Sequence, residues 1–338
     1  MEDGVIVKNG QEVPAEEVAL KAHSPYGHAD KDSKYLLEVV YRQGYVVLTD
    51  CIDAELLASV NARADELYAA QAKATPAETE QPESDGPKQA FLTNLVGCGP
   101  QFQQLLGQPS LIGMVTSILG EDCLLSSASM RDVHGGSEEQ VIHTDDLLYA
   151  GREDWFKRPV PRQLSLVAAV AMADQVASRG TTVLFPGSHM WEESPDTVQA
   201  PNFGADSAAY NEQMRNWARK NKGTDAIDVE MKAGSVVIWL GATWHAGGAY
   251  TAPSGDTRRV AIFNFCRGIF RQQENQMAGI THEQAADMPK AVQRLLGYTM
   301  SDTGLGYSGG QDPAILLGEG GKALLADNTK RTARRRGK

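Results

Sequence analysis

Apolar residues in the first third of the chain recur at the spacing of helices. Between residues 53 and 72 they fall three or four positions apart and define one helical face, formed by Leu57, Val60, Ala64, Leu67 and Tyr68. Asp53 begins this segment, and an aspartate there caps free backbone N–H groups. Similar patterns predict a helix over 34–43, a short strand over 44–48 and a helix over 108–120.

From residue 123 onward the pattern changes to short apolar runs separated by turn residues. These runs predict strands, over 123–133, 140–145, 162–174, 181–189 and 257–268, with two more inside 227–248. The run over 162–174 is mostly apolar and is expected to be buried on both faces. Short strands that follow a set of helices predict a mainly β fold, a sandwich or barrel, with the helices packed outside it.

The remaining segments are polar and set the predicted domain organisation. Residues 1–33 are predicted to be an N-terminal arm, 34–315 a single domain, and 316–338 a C-terminal tail with a basic, solvated end. Residues 73–88, rich in Pro, Glu and Ser, are predicted to be a surface loop. Residues 190–225 interrupt the strands, and two interpretations of this insertion stay open: a cover over a site mouth, or an ordinary surface excursion.

Composition and charge argue against several classes of function. The 338 residues carry 32 Lys and Arg against 43 Asp and Glu, a net charge of −11, which argues against nonspecific binding to nucleic acid or to an anionic membrane. The chain has no run of about 18 apolar residues, so no transmembrane helix is expected, and a secretory signal is not expected either. The four cysteines lack C-x-x-C spacing, so we expect small buried side chains in a reducing, cytoplasmic compartment.

His143 and Asp145 are candidate metal ligands. Residues i and i+2 of a strand point to the same face, so one imidazole and one carboxylate converge on a point. His245 is the candidate third ligand, because it follows an apolar strand and precedes glycines that permit close backbone approach. Two histidines and one carboxylate form the facial triad of non-haem iron(II). Taken singly, each histidine also fits a hydrogen-bonded core residue.

A pair of arginines opens the last predicted strand. A guanidinium at this position must face solvent, pair with an acid or bind an anion, and a dicarboxylate fits its two-pronged donor geometry. Arg258 and Arg259 compete for this role, since neighbouring strand residues point to opposite faces. Surface ion pairs for both arginines are the alternative.

The order of motifs in the second half of the chain carries a family resemblance. HTD, PGSH, WHAGGAYTAPSGDTRR and FCRGIFRQQENQ together resemble the phytanoyl-CoA dioxygenase (PhyH-like) family of iron(II)- and 2-oxoglutarate-dependent oxygenases. The resemblance covers roughly residues 35–315 and extends to LLGYTMSDTGLGYSGGQDP, which is similar to members that tailor secondary metabolites. It implies a double-stranded β-helix, a cupin-like jelly roll, flanked by helices.

The resemblance also implies roles for single residues. The metal ligands and catalytic centre are His143, Asp145 and His245, and Arg258 anchors the distal carboxylate of 2-oxoglutarate. Gln140 and Thr182 are implied contacts of that co-substrate. His189, in the PGSH turn, is expected to be structural rather than a fourth ligand. The spacing between His245 and Arg258 is slightly longer than in the family's human namesake, which keeps Arg259 open as the anchor.

The implied activity is a dioxygenase that uses Fe(II), 2-oxoglutarate and O2 and releases succinate and CO2. Its expected substrate is a small, largely apolar natural product, oxidised at a C–H bond by hydroxylation, desaturation or a related rearrangement. Asp145 favours oxidation over halogenation, because related halogenases replace this carboxylate with a small residue. A homodimer is also implied. The alternatives are a catalytically silent jelly-roll partner of a related enzyme, and an isomerase that uses the metal without 2-oxoglutarate.

Overall fold

The early apolar pattern forms helices, as predicted. The protein is described by a computed structural model over residues 5–8, 11–14, 31–74, 89–150, 163–192, 207–253 and 256–336. The first four helices are α1 (Lys31–Gln43), α2 (Ala54–Ala74), α3 (Pro100–Leu106) and α4 (Pro109–Leu119). Asp53 Oδ1 accepts a hydrogen bond from the Leu56 backbone N–H at 2.8 Å, which confirms the predicted cap of α2.

Two antiparallel sheets form the centre of the molecule. The larger sheet has the strand order β3-β9-β6-β11-β5-β4, with β3 at Tyr45–Leu48, β4 at Gln89–Leu92, β5 at Leu124–Val133, β6 at Ser165–Ala171, β9 at Val236–Leu240 and β11 at Arg258–Cys266. The smaller sheet has the order β10-β7-β8, with β7 at Thr182–Leu184, β8 at Ile227–Asp228 and β10 at His245–Gly247. A separate hairpin pairs β1 (Val5–Lys8) with β2 (Gln11–Pro14).

The two faces of the larger sheet pack against different layers. Ala261, Phe263 and Phe265 of β11 belong to a buried cluster with the helices, and we call this side the outer face. Val260 belongs to a second cluster that contains Leu184 of the smaller sheet, and we call this side the inner face. Every residue of β6 is buried, which confirms the prediction that this strand is covered on both faces.

The segment over 140–145 differs from its prediction, because it forms no regular strand. His143 makes an isolated bridge with His245. Gln140 donates its backbone N–H to Gly247 O at 2.8 Å, so the segment follows β10 irregularly. The side chain of Asn211 makes hydrogen bonds with the Ile142 N–H and with Gln140 O of this segment.

Helices also occur in segments where the sequence pattern predicted no helix. Inside the 190–225 insertion, α6 spans Ser207–Lys222. After β11 come α7 (Gln276–Gly279), α8 (His282–Ala286), α9 (Lys290–Leu296) and α10 (Lys322–Arg336), and α5 is a short turn at Leu147–Ala150. Helix α10 includes residues 327–336 of the predicted basic end, where Thr329 and Lys330 are exposed, and Leu324, before this stretch, is fully buried in the outer cluster. Most of the predicted loop over 73–88 lies outside the described residues, apart from the end of α2.

Neither a disulfide nor a membrane-spanning helix occurs among the described residues. All four cysteines are free; Cys51, Cys123 and Cys266 are buried as predicted, whereas Cys98 is partly exposed. Among the helices described, none has the length and apolar character needed to cross a bilayer.

Candidate active site

Three predicted ligands converge where β10 begins. His143, Asp145 and His245 each offer one ligand atom, and these atoms lie within 4.8 Å of one another. His245 Nε2 is 3.4 Å from Asp145 Oδ2, and His143 Nε2 is 4.0 Å from Asp145 Oδ1. The structure therefore brings together residues that stand up to 102 positions apart in the chain (245 − 143 = 102).

The carboxylate ligand is positioned through a glycine. The backbone N–H groups of Asp145 and Asp146 both donate to Gly241 O, at 2.9 and 3.2 Å. A Cβ at Gly241 would lie 1.8 Å from Ser165 Oγ and 2.4 Å from Asp146 Oδ1, so only glycine fits without displacement. Ser165 Oγ donates to Asp146 Oδ1 at 2.7 Å, so this second carboxylate is bonded away from the three ligand atoms.

Both imidazoles are held in the tautomer that a metal requires. Nδ1 of His143 lies 2.7 Å from Val141 O, and Nδ1 of His245 lies 3.0 Å from Thr243 O. Because a carbonyl only accepts, each Nδ1 carries the proton and each Nε2 keeps its lone pair for the cluster. Burial, with a smaller effect of His143, lowers the pKa of His245 to about 4. The ring is therefore neutral at neutral pH.

The donor set fits a divalent transition metal. Two neutral imidazole nitrogens and one carboxylate are the ligands of the iron(II) facial triad. Asp145 Oδ2 is buried and has no hydrogen-bond partner among the described residues, which is costly unless a cation compensates it. The His143 side chain is 35% exposed, so the cluster is reachable by small molecules.

The structure separates the two candidate arginines by strand face. Arg259 makes a two-bond ion pair with Asp132, with both distances 2.7 Å, on the side of α2. Arg258 is two residues before Val260 on β11, so its side chain lies on the same inner face, where it is 4% exposed. Its Nη1 donates a hydrogen bond to Gly180 O, whereas its Nε has no hydrogen-bond partner among the described residues.

Arg258 keeps its charge despite this burial. Burial, with a contribution from the nearby Arg131, lowers the pKa of Arg258 to about 10. At neutral pH the side chain is therefore a buried cation without a carboxylate partner among the described residues, and such a group is destabilising until it is paired. This is the environment expected of an anion-binding residue.

Comparisons with known proteins identify a family for this chain. The sequence profile of the phytanoyl-CoA dioxygenase (PhyH) family matches residues 40–260, a span that contains the three clustered ligands and Arg258. The chain belongs to this family. The matched span is more than half of the chain, and the remaining residues include the helices after β11.

The family relatives include named dioxygenases of fungi. Dioxygenase swnH1 of Arthroderma benhamiae is 25% identical over 300 residues, which cover 84% of this chain and 88% of that protein. The iron/alpha-ketoglutarate-dependent dioxygenase ausO of Aspergillus calidoustus is 23% identical over 222 residues, 64% of this chain and 67% of that protein. The chain therefore spans most of the length of these PhyH relatives.

Solved structures share the fold of this PhyH chain. EctD from S. alaskensis, solved with 2-oxoglutarate and 5-hydroxyectoine, aligns with a TM-score of 0.53 at 20% identity, over 73% of this chain and 80% of that one. The alpha ketoglutarate dependent carbocyclase SnoK from nogalamycin biosynthesis gives 0.52 at 17% identity, over 74% and 87%. These likenesses show a sheet-rich fold with helices of the kind found in iron and 2-oxoglutarate enzymes.

Arg131, a charged residue near the ligand cluster of this PhyH chain, was not predicted from the sequence. Arg131 of β5 lies opposite Val260, and therefore on the inner face, where its guanidinium is 5.2 Å from the Phe91 ring centroid. Burial lowers its pKa, while the charge of Asp145 acts in the opposite direction. The alternation of the MRDV stretch was visible in the sequence, but the face that it presents depends on pairing with β11.

The other predicted site residues are close to the centre. Thr182 has the parity of Leu184 and lies on the inner side of β7, 9% exposed. Gln140 uses its side-chain oxygen to accept from the Gly247 N–H at 2.9 Å. His189 is buried, with its Nε2 2.8 Å from Tyr41 O, and it lies outside the ligand cluster, which agrees with a structural role.

Proposed function

We propose that this chain is an Fe(II)- and 2-oxoglutarate-dependent dioxygenase, with iron held by His143, Asp145 and His245. The observation that carries the proposal is Arg258, a buried guanidinium without a carboxylate partner among the described residues, on the inner face that also faces the ligand cluster. A facial triad alone suits several metal enzymes, whereas a triad with a buried anion-binding arginine suits a dicarboxylate co-substrate.

Some residues of the site would hold the metal, and others would bind the co-substrate. When bound, iron and 2-oxoglutarate supply the oxidising chemistry, in which O2, 2-oxoglutarate and a C–H bond give succinate, CO2 and an oxidised product. Arg258 binds the distal carboxylate, with Thr182 and Gln140 beside it. Arg131 offers a second cationic group, on the side of Asp145. The neutral state of His245 keeps its lone pair available to the metal.

Polar residues form part of the accessible wall on the inner face, with the apolar Ile262 among them, and this polar wall refines the expected substrate. Ser127, Ser129 and Asn264 share the inner face of β5 and β11 and are partly exposed. Asn264 Nδ2 donates to Ser127 Oγ at 2.9 Å. These uncharged groups favour a small natural product whose largely apolar body carries a neutral hydrogen-bonding group, such as a hydroxyl or amide.

Asn264→Leu tests this refinement. Replacing the amide by an isosteric apolar side chain is expected to raise KM about tenfold for a substrate with a hydroxyl or amide, since one hydrogen bond contributes about 1–1.5 kcal/mol. The affinity for 2-oxoglutarate is expected to stay within twofold of wild type, roughly the spread of a neutral change. Steady-state kinetics with the substrate and with 2-oxoglutarate measure the two effects. Asn216→Leu, on the exposed side of α6, is the control. An equal KM for both variants would contradict the polar wall.

Succinate release tests the proposed reaction. Protein prepared without oxygen is given Fe(II), 2-oxoglutarate and then O2, with and without terpenoid, polyketide and alkaloid candidates. We expect slow succinate formation that one class stimulates and that His143→Ala lacks. Absence of succinate from folded, iron-loaded protein under every condition would support the silent-partner or isomerase alternative.

Thermal unfolding separates the dioxygenase from the isomerase, because a ligand raises the melting temperature only where it binds the folded state. A dioxygenase is expected to gain stability from 2-oxoglutarate on top of the metal, whereas an isomerase gains from the metal alone.

Two further proposals concern architecture. The facing sheets, joined by the cluster that contains Leu184 and Val260, support a double-stranded β-helix, and an experimental structure with different strand pairing would contradict it. A homodimer is proposed from the resemblance alone, and light scattering that gives a monomer mass would reject it.

A further inference from the structure

Helix α6 contacts the backbone that leads to His143 through one buried side chain. Asn211 is 1% exposed. Its Oδ1 accepts from the Ile142 N–H at 2.9 Å, and its Nδ2 donates to Gln140 O at 2.8 Å. The same Nδ2 is 2.9 Å from Glu139 Oε2. One carboxamide therefore bonds to three groups within the four residues that precede His143.

These bonds replace a neighbouring strand. In the described part of the chain, the only β-type pairing of this segment is the isolated bridge between His143 and His245. A segment with pairing on one side leaves buried backbone donors and acceptors on the other, and each costs about 1–3 kcal/mol if unsatisfied. The carboxamide of Asn211 supplies one acceptor and one donor to this edge, as a strand would.

Helix α6, which carries Asn211, packs against the residues that precede both histidine ligands. Met214 and Ala218 of α6 pack in a buried cluster that also contains Ile142 and Trp244, which directly precede His143 and His245 in the chain. Arg215 adds an ion pair with Glu139, with Nη1 2.9 Å from Oε2. Asn211 is thus held on a helix that packs against the residues next to both histidine ligands.

We propose that Asn211 is a positioning residue for the metal centre, fixing the backbone over 139–142 so that His143 Nε2 meets Asp145 and His245. This inference rests on the proposed metal centre. It also gives helix α6 of the 190–225 insertion a role behind the ligand-bearing segment, and the two interpretations of the whole insertion stay open, because residues 193–206 lie outside the described residues.

Metal affinity tests the proposal without turnover. Mn(II), which resists oxidation, is titrated calorimetrically into wild type, Asn211→Ala and Asn211→Asp. The Asp variant keeps an acceptor for the Ile142 N–H and loses both donors. Groups that orient a ligand typically contribute about 10–100-fold to metal affinity, and we expect a loss of this size in the Ala variant and at least as large a loss in the Asp variant, whose second carboxylate oxygen faces Gln140 O and Glu139 Oε2 in place of the donor. Asn216→Ala, exposed on the same helix, is the control.

Two further measurements separate positioning from folding. Melting temperatures in chelator report the fold alone, and the increase on adding Mn(II) reports the metal site. Amide exchange over 139–145 is expected to accelerate in both Asn211 variants. A lower melting temperature in chelator with Mn(II) affinity within twofold of wild type would overturn the positioning role. If His143→Ala also leaves Mn(II) affinity unchanged, the metal centre itself is wrong rather than the role of Asn211.

Discussion

Replacing His245 with alanine is expected to abolish succinate formation and to weaken Mn(II) binding by more than about 100-fold, since even residues that only orient a ligand contribute about 10–100-fold. The remaining pair, His143 and Asp145, leaves the metal with two protein ligands. The Asp145 carboxylate, 3.4 Å from His245 Nε2, also loses its nearest neighbour in the cluster. Calorimetric titration and a succinate assay measure the two effects.

His189→Ala is the matched control for this experiment. His189 is as buried as His245, and its ring is bonded to Tyr41 O at 2.8 Å, but it lies outside the ligand cluster. We expect this variant to lose folding stability and to keep its Mn(II) affinity. If the two histidine variants weaken Mn(II) binding equally, the loss reflects the fold, and the assignment of His245 as a ligand fails.

Two local features of the sequence, together with the family resemblance, predicted the ligand cluster. The i and i+2 spacing of His143 and Asp145 sets one pair, and the glycines after His245 mark a close backbone approach. A Cβ at Gly248 would indeed lie 2.9 Å from Thr181 O. Neither feature needs knowledge of how the strands are ordered.

Arg131 and α6 were missed because they depend on contacts between distant segments. The inner position of Arg131 follows from the register between β5 and β11, and shifting a register by one residue moves every side chain to the other face. Helix α6 has a narrow apolar stripe, and its partners Phe185, Trp191 and Trp244 come from other segments. Local patterns do not contain that information.

The sequence left open whether Arg258 or Arg259 binds the co-substrate. Substituting each arginine in turn separates the effect on co-substrate binding from the effect on folding stability. Arg258→Met is expected to weaken 2-oxoglutarate binding to the Mn(II)-loaded protein by more than about 30-fold, because losing one partner of a buried charge pair costs about 2–5 kcal/mol. Stability without ligand is expected to stay the same or rise, since the buried charge has no carboxylate partner among the described residues. Titration of 2-oxoglutarate and urea unfolding measure the two quantities.

Arg259→Met is expected to lower folding stability without changing 2-oxoglutarate binding, the opposite of Arg258→Met. Arg259 pairs with Asp132, which is 6% exposed, and with Asp65 at 2.8 Å. Removing the guanidinium leaves the Asp132 carboxylate buried without its partner, which costs about 3 kcal/mol or more, whereas 2-oxoglutarate affinity is expected to stay unchanged. If instead Arg259→Met weakens 2-oxoglutarate binding and Arg258→Met lowers stability, the co-substrate lies on the outer face of β11. Because Ala261, Phe263 and Phe265 fill that face against the helices, such a result would contradict the strand register as well as the proposed site.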